Sequence, residues 1–244
     1  MRIIILLFIL LNLLYAKKDF YYSFINSSGA QISEKRKQTI SDGFDIIENA
    51  KLLARDGKID EAYTLIKTYK AKNKMNVLDS DLLILYSELS LKKESKRFSL
   101  EAAKILENAI NSSSINQFDL AKAYMLLVEL KLKINKTKDA KYLAEIIINN
   151  FDDELTKTYG KIQLAKVYKY QRAYAKSINI LYTILTKTHD KLVATVVADE
   201  LFDVYIANEN FEKANKLISN VLKNNINYYA NDSYLANKKI NKLL

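Results

Sequence analysis

One pattern recurs five times along the chain and limits what it can fold into. After a short polar turn comes a small residue, then apolar residues at the helical spacings of three, four, seven and eight positions. Ala62 leads Leu65, Ile66 and Tyr69; Ala102 leads Ile105, Leu106, Ala109 and Ile110; Ala140 leads Leu143, Ala144, Ile147 and Ile148. Ser177 leads Ile180, Leu181, Ile184 and Leu185, and Ala214 leads Leu217, Ile218, Val221 and Leu222. The small residues are 40, 38, 37 and 37 positions apart. A small side chain early in a helix lets it approach the preceding helix closely, and the spacing lays an apolar stripe along one face. A single hairpin cannot cover its own stripe, so neighbours must stack, and the pattern predicts an all-α solenoid of about five helix pairs.

Composition agrees with long helices and short connections. The 244 residues contain no proline and only four glycines, the two residues that most weaken helices. Helices are expected near 44–56 and 59–71, 79–94 and 99–111, 117–134 and 137–150, 153–170 and 174–187, 191–207 and 211–223. These make repeats of about 44–75, 79–113, 116–151, 153–188 and 190–224. Asp79 or Ser80, Asp152 and Asp190 are the expected N-caps, where a side-chain oxygen satisfies free backbone N–H groups. Gly160 falls inside a predicted helix at a cost of roughly 1 kcal/mol against Ala, which calls for close contact with a neighbouring helix. The second pair is expected to have an enlarged turn, Glu94 to Ser99.

Both ends depart from the repeat. Arg2 precedes an apolar run from Ile3 to Leu14, broken only by Asn12, and Tyr15-Ala16 is followed by Lys17-Lys18. This reads as a signal peptide over 1–16 cleaved after Ala16, although Leu14 at the −3 position is larger than ideal. A membrane anchor would need about 20 apolar residues, so the expectation is an exported, periplasmic chain with no transmembrane segment once mature. Residues 17–43 read as an extended aromatic stretch and turn that caps the first repeat. Residues 225–244 contain a helix starting at Asp232 with Leu235, Ala236, Ile240 and Leu243. That helix is either a cap or the first half of a sixth unit in a longer chain.

The inventory for chemistry is poor. There is no cysteine, hence no disulfide, thiolate metal site or cysteine nucleophile. His189 is the only histidine and sits at a predicted helix end beside Asp190. No phosphate loop, metal cluster or HExxH motif is present, so the expectation is a non-enzyme without catalytic residues, cofactor or metal. The adjacent Asp152, Asp153 and Glu154 suit a helix N-terminus, where negative charge is favourable. The formal charge is +10, and removal of Arg2 with the signal leaves 37 basic against 28 acidic side chains. Export makes a nucleic-acid partner a poor reading of that charge. Anionic lipid, wall polymer, an acidic protein, or a surface coded by an AT-rich genome are the alternatives.

Gly-Lys-Ile-Asp-Glu-Ala at 57–62 and Glu-Asn-Phe-Glu-Lys-Ala at 209–214 resemble the turn and second-helix start of tetratricopeptide repeats. Leu164, Ala165 and Tyr168 match that family's first-helix leucine, small residue and tyrosine, and Leu201 and Tyr205 match two of them. Phe202 and Val128 stand where the family has a small residue, and the period exceeds its usual ~34, so the resemblance is to a tetratricopeptide-like array. It implies a right-handed solenoid that binds proteins, its concave face lined by the first helix of each pair. In that frame the face carries Lys51 and Arg55, then Lys122 and Lys133, then Tyr159, Lys166, Lys169 and Tyr170, and finally Asp199 and Asp203. Such a basic, tyrosine-dotted groove would suit an acidic peptide. The stretch from Phe20-Tyr21-Tyr22 to Gly43-Phe44, with Asn231-Asp232-Ser233-Tyr234-Leu235-Ala236-Asn237, resembles the paralysed-flagellum family of the bacterial flagellar motor. That family is larger, so the resemblance implies an N-terminal part, a role supporting torque-generating units, and flagellar motor components as partners. Two other classes compete with this scaffold reading: a basic binder of anionic wall or membrane surface, and an accessory helical domain of a cell-wall enzyme such as a lytic transglycosylase.

Overall fold

The computed structural model describes residues 41–72 and 78–223, so the expected signal peptide, the expected extended segment 17–43 up to residue 40 and the helix after Asp232 lie outside the described residues, while residues 41–43 are helical rather than extended. Among the described residues there are ten helices and no strand. They pair as α1 (Ser41–Arg55) with α2 (Ile59–Lys72), and α3 (Ser80–Lys92) with α4 (Lys96–Asn111). The remaining pairs are α5 (Leu120–Lys133) with α6 (Thr137–Asn150), α7 (Glu154–Tyr170) with α8 (Tyr174–Lys187), and α9 (Lys191–Ala207) with α10 (Phe211–Lys223). The chain divides into two compact bodies, and the boundary falls within α7, between Gln163 and Leu164.

The repeat pattern places the core. Ala62, Ala102, Ala140 and Ser177 are wholly buried and Ala214 is nearly so. Ser177 shows why the position must be small: its Oγ donates to the carbonyl of Ala165 in α7 at 2.7 Å, so the second helix sits directly on the backbone of the first. Gly160 marks the matching approach between hairpins. A Cβ added there would lie 2.8 Å from Ile147 Cγ2 and 3.0 Å from Ile148 Cγ1 of α6, closer than packed carbons tolerate. The close contact expected from its sequence position is present.

First and second helices differ in burial. In the first body α5 packs against α3, α4 and α6, and every residue from Leu82 to Ser90 of α3 is buried. The second helices bury one stripe and expose the other face, as in α6, where Ala140, Leu143, Ala144 and Ile147 are buried and Tyr142 is exposed. Burying each large aliphatic side chain contributes about 1.5–3 kcal/mol, so the stacked stripes are the main source of stability.

Four of the five hairpin turns share one construction. Gly57, Asn135, Arg172 and Glu209 adopt the left-handed conformation, with φ of 78°, 64°, 58° and 56°. The next residue's N–H then donates five residues back, from Lys58 to Leu53, Lys136 to Lys131, Ala173 to Tyr168 and Asn210 to Tyr205, at 2.8–2.9 Å. This is the Schellman closure of a helix C-terminus. The α3–α4 turn is built differently and is not enlarged. It spans only Lys93–Ser95, with Lys93 extended and the Ser95 hydroxyl accepting from the Arg97 N–H. The carbonyls of Leu91 and Lys93, left without a Schellman closure, accept from Lys133 Nζ of α5.

Helix starts follow polar caps. Asp190 accepts from the N–H groups of Leu192 and Val193 at 2.7 and 3.1 Å, as its sequence position predicts. At α7 it is Asp153 rather than Asp152 that accepts, from Thr156 N–H at 2.7 Å. Asp79 occupies the N-cap position of α3 but makes no side-chain cap bond. The start of α5 is three residues later than its apolar pattern suggests. Asn116 and Asp119 bond each other there, and Ser80 Oγ donates to Asp119 Oδ2 at 2.7 Å, which replaces a first helical turn by a fixed bend.

Candidate functional site

Among the described residues the buried charged side chains, Glu88, Lys122, Lys131 and Asp199, all lie on the first helices α3, α5 and α9. Glu88 of α3 pairs with Lys122 of α5 at 3.0 Å, and Gln163 of α7 donates to Glu129 of α5 at 3.2 Å. In the second body Glu200 of α9 receives Lys166 at 3.3 Å and Lys169 at 3.1 Å, both from α7, and Lys169 also approaches Asp203 at 3.8 Å. Burial alone would raise the Glu200 carboxyl's pKa, but the two lysines outweigh it and hold the group at about 2. Glu200 is therefore ionised across the physiological range.

The ten residues expected on a concave binding face fare unevenly. Lys122, Tyr159 and Asp199 are buried. Lys133 is spent on the α3 C-terminus, and burial lowers its pKa. Lys166, Lys169 and Asp203 belong to the Glu200 cluster, and Lys51 pairs with Glu48 at 2.9 Å within α1. Arg55 and Tyr170 are exposed, Tyr170 by 53 %. The lysines at 122, 133, 166 and 169 are thus engaged by neighbouring helices within their own bodies. An acidic ligand docking on these lysines would have to displace Glu88 and Glu200 from them. Charge is unevenly distributed as well: residues 41–163 hold 20 basic and 19 acidic side chains, whereas 164–223 hold 9 and 6.

A second cluster in the first body had no sequence signal beyond its aromatic residues. Tyr63 of α2 and Tyr86 of α3 stack at 5.0 Å with their hydroxyls 2.6 Å apart, and Phe98 of α4 meets Tyr63 edge-on at 5.1 Å. Lys93 Nζ lies 4.6 Å from the Phe98 ring and pairs with Asp60. Burial pushes both tyrosine phenols above their ordinary range. This cluster joins the first two hairpins. Among the described residues no group of three or more His, Asp or Glu side chains is placed to hold a metal ion.

No protein-family model and no curated protein matches the sequence. Solved structures do match the fold. A putative kinesin light chain of Podosopora anserina with nearly identical TPR-like repeats superposes in two crystal structures. One, of a substituted form, gives a TM-score of 0.54 at 17% identity, and the other gives 0.53 at 16%. Each match covers 73% of this chain and 92% of the other. At that identity the likeness establishes the fold, which is a TPR-like array of helical hairpins.

Proposed function

We propose that this chain is a periplasmic protein-interaction scaffold in an envelope-associated assembly, and that the assembly is the flagellar motor. The observation that carries the scaffold reading is the construction of the array. Its more buried charged groups join first helices of successive hairpins, as Glu88 does Lys122 and Glu200 does Lys166, which suits a body that holds partners in place rather than one that transforms a substrate. Export rests on the Arg2, Ile3–Leu14 and Ala16 pattern, and the motor on the likeness of residues 20–44 and 231–237 to the paralysed-flagellum family. The partners are then motor proteins of the same compartment.

Expression of the full chain in its own bacterium, followed by fractionation and N-terminal sequencing, tests the first step. A periplasmic product beginning at Lys17 is expected, and an uncleaved cytoplasmic product would end the export reading. Deletion of the gene tests the second. The expected outcome is intact filaments with lost or weakened rotation and a fluorescent fusion at the motor. Normal swimming with a diffuse fusion would remove the motor from the account while leaving the scaffold.

A further inference from the structure

Four polar bridges between successive first helices have the same sequence separation, and the Lys169–Glu200 branch of the shared cluster, at 31, differs from them. Glu88–Lys122, Glu129–Gln163, Lys166–Glu200 and Lys169–Asp203 each span 34 residues. The small residues of the corresponding second helices are 38, 37 and 37 apart. The shortfall of three or four residues is one helical turn. Each bridge therefore joins a residue to the neighbour one turn before its repeat equivalent, and it fixes how far successive first helices are staggered.

Apolar packing alone would fix that stagger weakly. Leucine, alanine and valine recur every three to four residues on these helices, so a slip of one turn would exchange one apolar contact for another. The α3–α5 bridge does not tolerate such a slip: it would leave Glu88 against Leu126 in one direction and against the Phe118–Asp119 bend in the other, whereas at α7–α9 Lys169 already reaches both Glu200 and Asp203, one turn apart. The bridges' chemistry also differs from joint to joint. The order is acid to base between α3 and α5, acid to amide between α5 and α7, and base to acid between α7 and α9. A first helix stacked on the wrong neighbour would meet a mismatched group. With α9 in place of α7, Glu129 would face the position of Glu200, acid against acid.

We infer that these 34-residue bridges are a register code, which sets the order and stagger of the hairpins independently of how strongly the apolar stripes hold them together. The apolar surfaces supply stability and the bridges supply uniqueness, a division for which a single buried polar pair can suffice. For a scaffold the consequence is a fixed spacing of whatever partner-contacting groups the exposed helix faces present.

The test uses the full chain, whose lack of cysteine lets two introduced thiols carry spin labels without competition. Labels at Lys104 on α4 and Tyr142 on α6, both exposed, report the α3–α5 joint from the outer helices. In an otherwise natural chain one narrow distance is expected. In the apolar double variant Glu88→Met with Lys122→Leu, the expected result is a melting temperature near that of the natural chain with a broadened or split distance, the new population displaced by about 5 Å, one helical turn. In the inverted variant Glu88→Lys with Lys122→Glu, the single distance should return. A single unshifted distance in the apolar variant would overturn the code. So would failure of the apolar variant to fold while the inverted one folds, because the bridge would then be supplying stability instead.

Discussion

Between α3 and α5 one acid faces one base: Glu88 and Lys122 lie 3.0 Å apart with side chains only 8 and 11% exposed. Between α7 and α9 one acid is shared. Glu200, 15% exposed, is held by Lys166 and Lys169, and Lys169 keeps Asp203 within 3.8 Å. Both arrangements bury charge between first helices, yet they respond differently to damage. Loss of either Glu88 or Lys122 takes the 3.0 Å counter-charge from the other inside a packed interior. The shared cluster retains a neutralising partner after any single lysine is lost, and it stands closer to water.

The largest predicted effect follows from the deeper burial of that pair. Lys122→Met takes the cation from the enclosed Glu88, and removing one partner of a buried pair costs about 3–5 kcal/mol. Chemical denaturation should show a loss of that order. Glu200→Gln comes next, at about 2–3 kcal/mol at neutral pH, from a carboxyl held near 2 against an ordinary value of 4.5 and discounted for partial exposure. Its sign is checkable by pH. A depressed carboxyl contributes stability that is complete above the unfolded value and lost as pH falls through the folded one. The gap between the natural chain and Glu200→Gln should therefore close between about pH 5 and pH 2.

Gly160→Ala tests a joint that has no bridge at its point of closest approach. The helix itself would gain roughly 1 kcal/mol, but the added methyl meets Ile147 and Ile148 at 2.8–3.0 Å. Overpacking costs about 1–3 kcal/mol, so a net loss of about 1 kcal/mol is expected in thermal melts, against the gain that an open helix would show. The smallest effect should be Lys169→Met. Lys166 still neutralises Glu200, and a loss below about 1 kcal/mol is expected, in keeping with a partly exposed ion pair. A loss as large as that of Lys122→Met would erase the contrast between the two joints.

Much of the fold was legible because helical periodicity and steric size are local properties. Ala62, Ala102, Ala140, Ser177 and Ala214 could be picked out by spacing alone, and all are buried against their partner helices. Gly160 was legible for the same reason, as a residue whose cost in a helix demanded a contact. The polar joints between first helices were not legible. Family geometry placed Lys122, Lys166 and Lys169 on one face, but it could not show that Glu88 and Glu200 from adjacent repeats already meet them. That pairing depends on a separation of 34 residues, which differs from the 37–40 residue repeat and appears only once the helices are staggered. The bend before α5 escaped for a similar reason, since Ser80, which braces Asp119, lies 39 residues away. The α3–α4 turn could not be read locally because its closing group, Lys133, comes from the following hairpin.

The central claim is that specific polar bridges, and not apolar stripes alone, join successive hairpins. A double-mutant cycle of Glu88→Gln and Lys122→Met in the full chain, followed by denaturant unfolding, tests it most directly. A coupling of about 2 kcal/mol or more between the two sites is predicted, as expected for residues in direct contact within one polar network. Effects that simply add, to within about 0.5 kcal/mol, would mean that Glu88 and Lys122 do not act on each other, and would contradict the account.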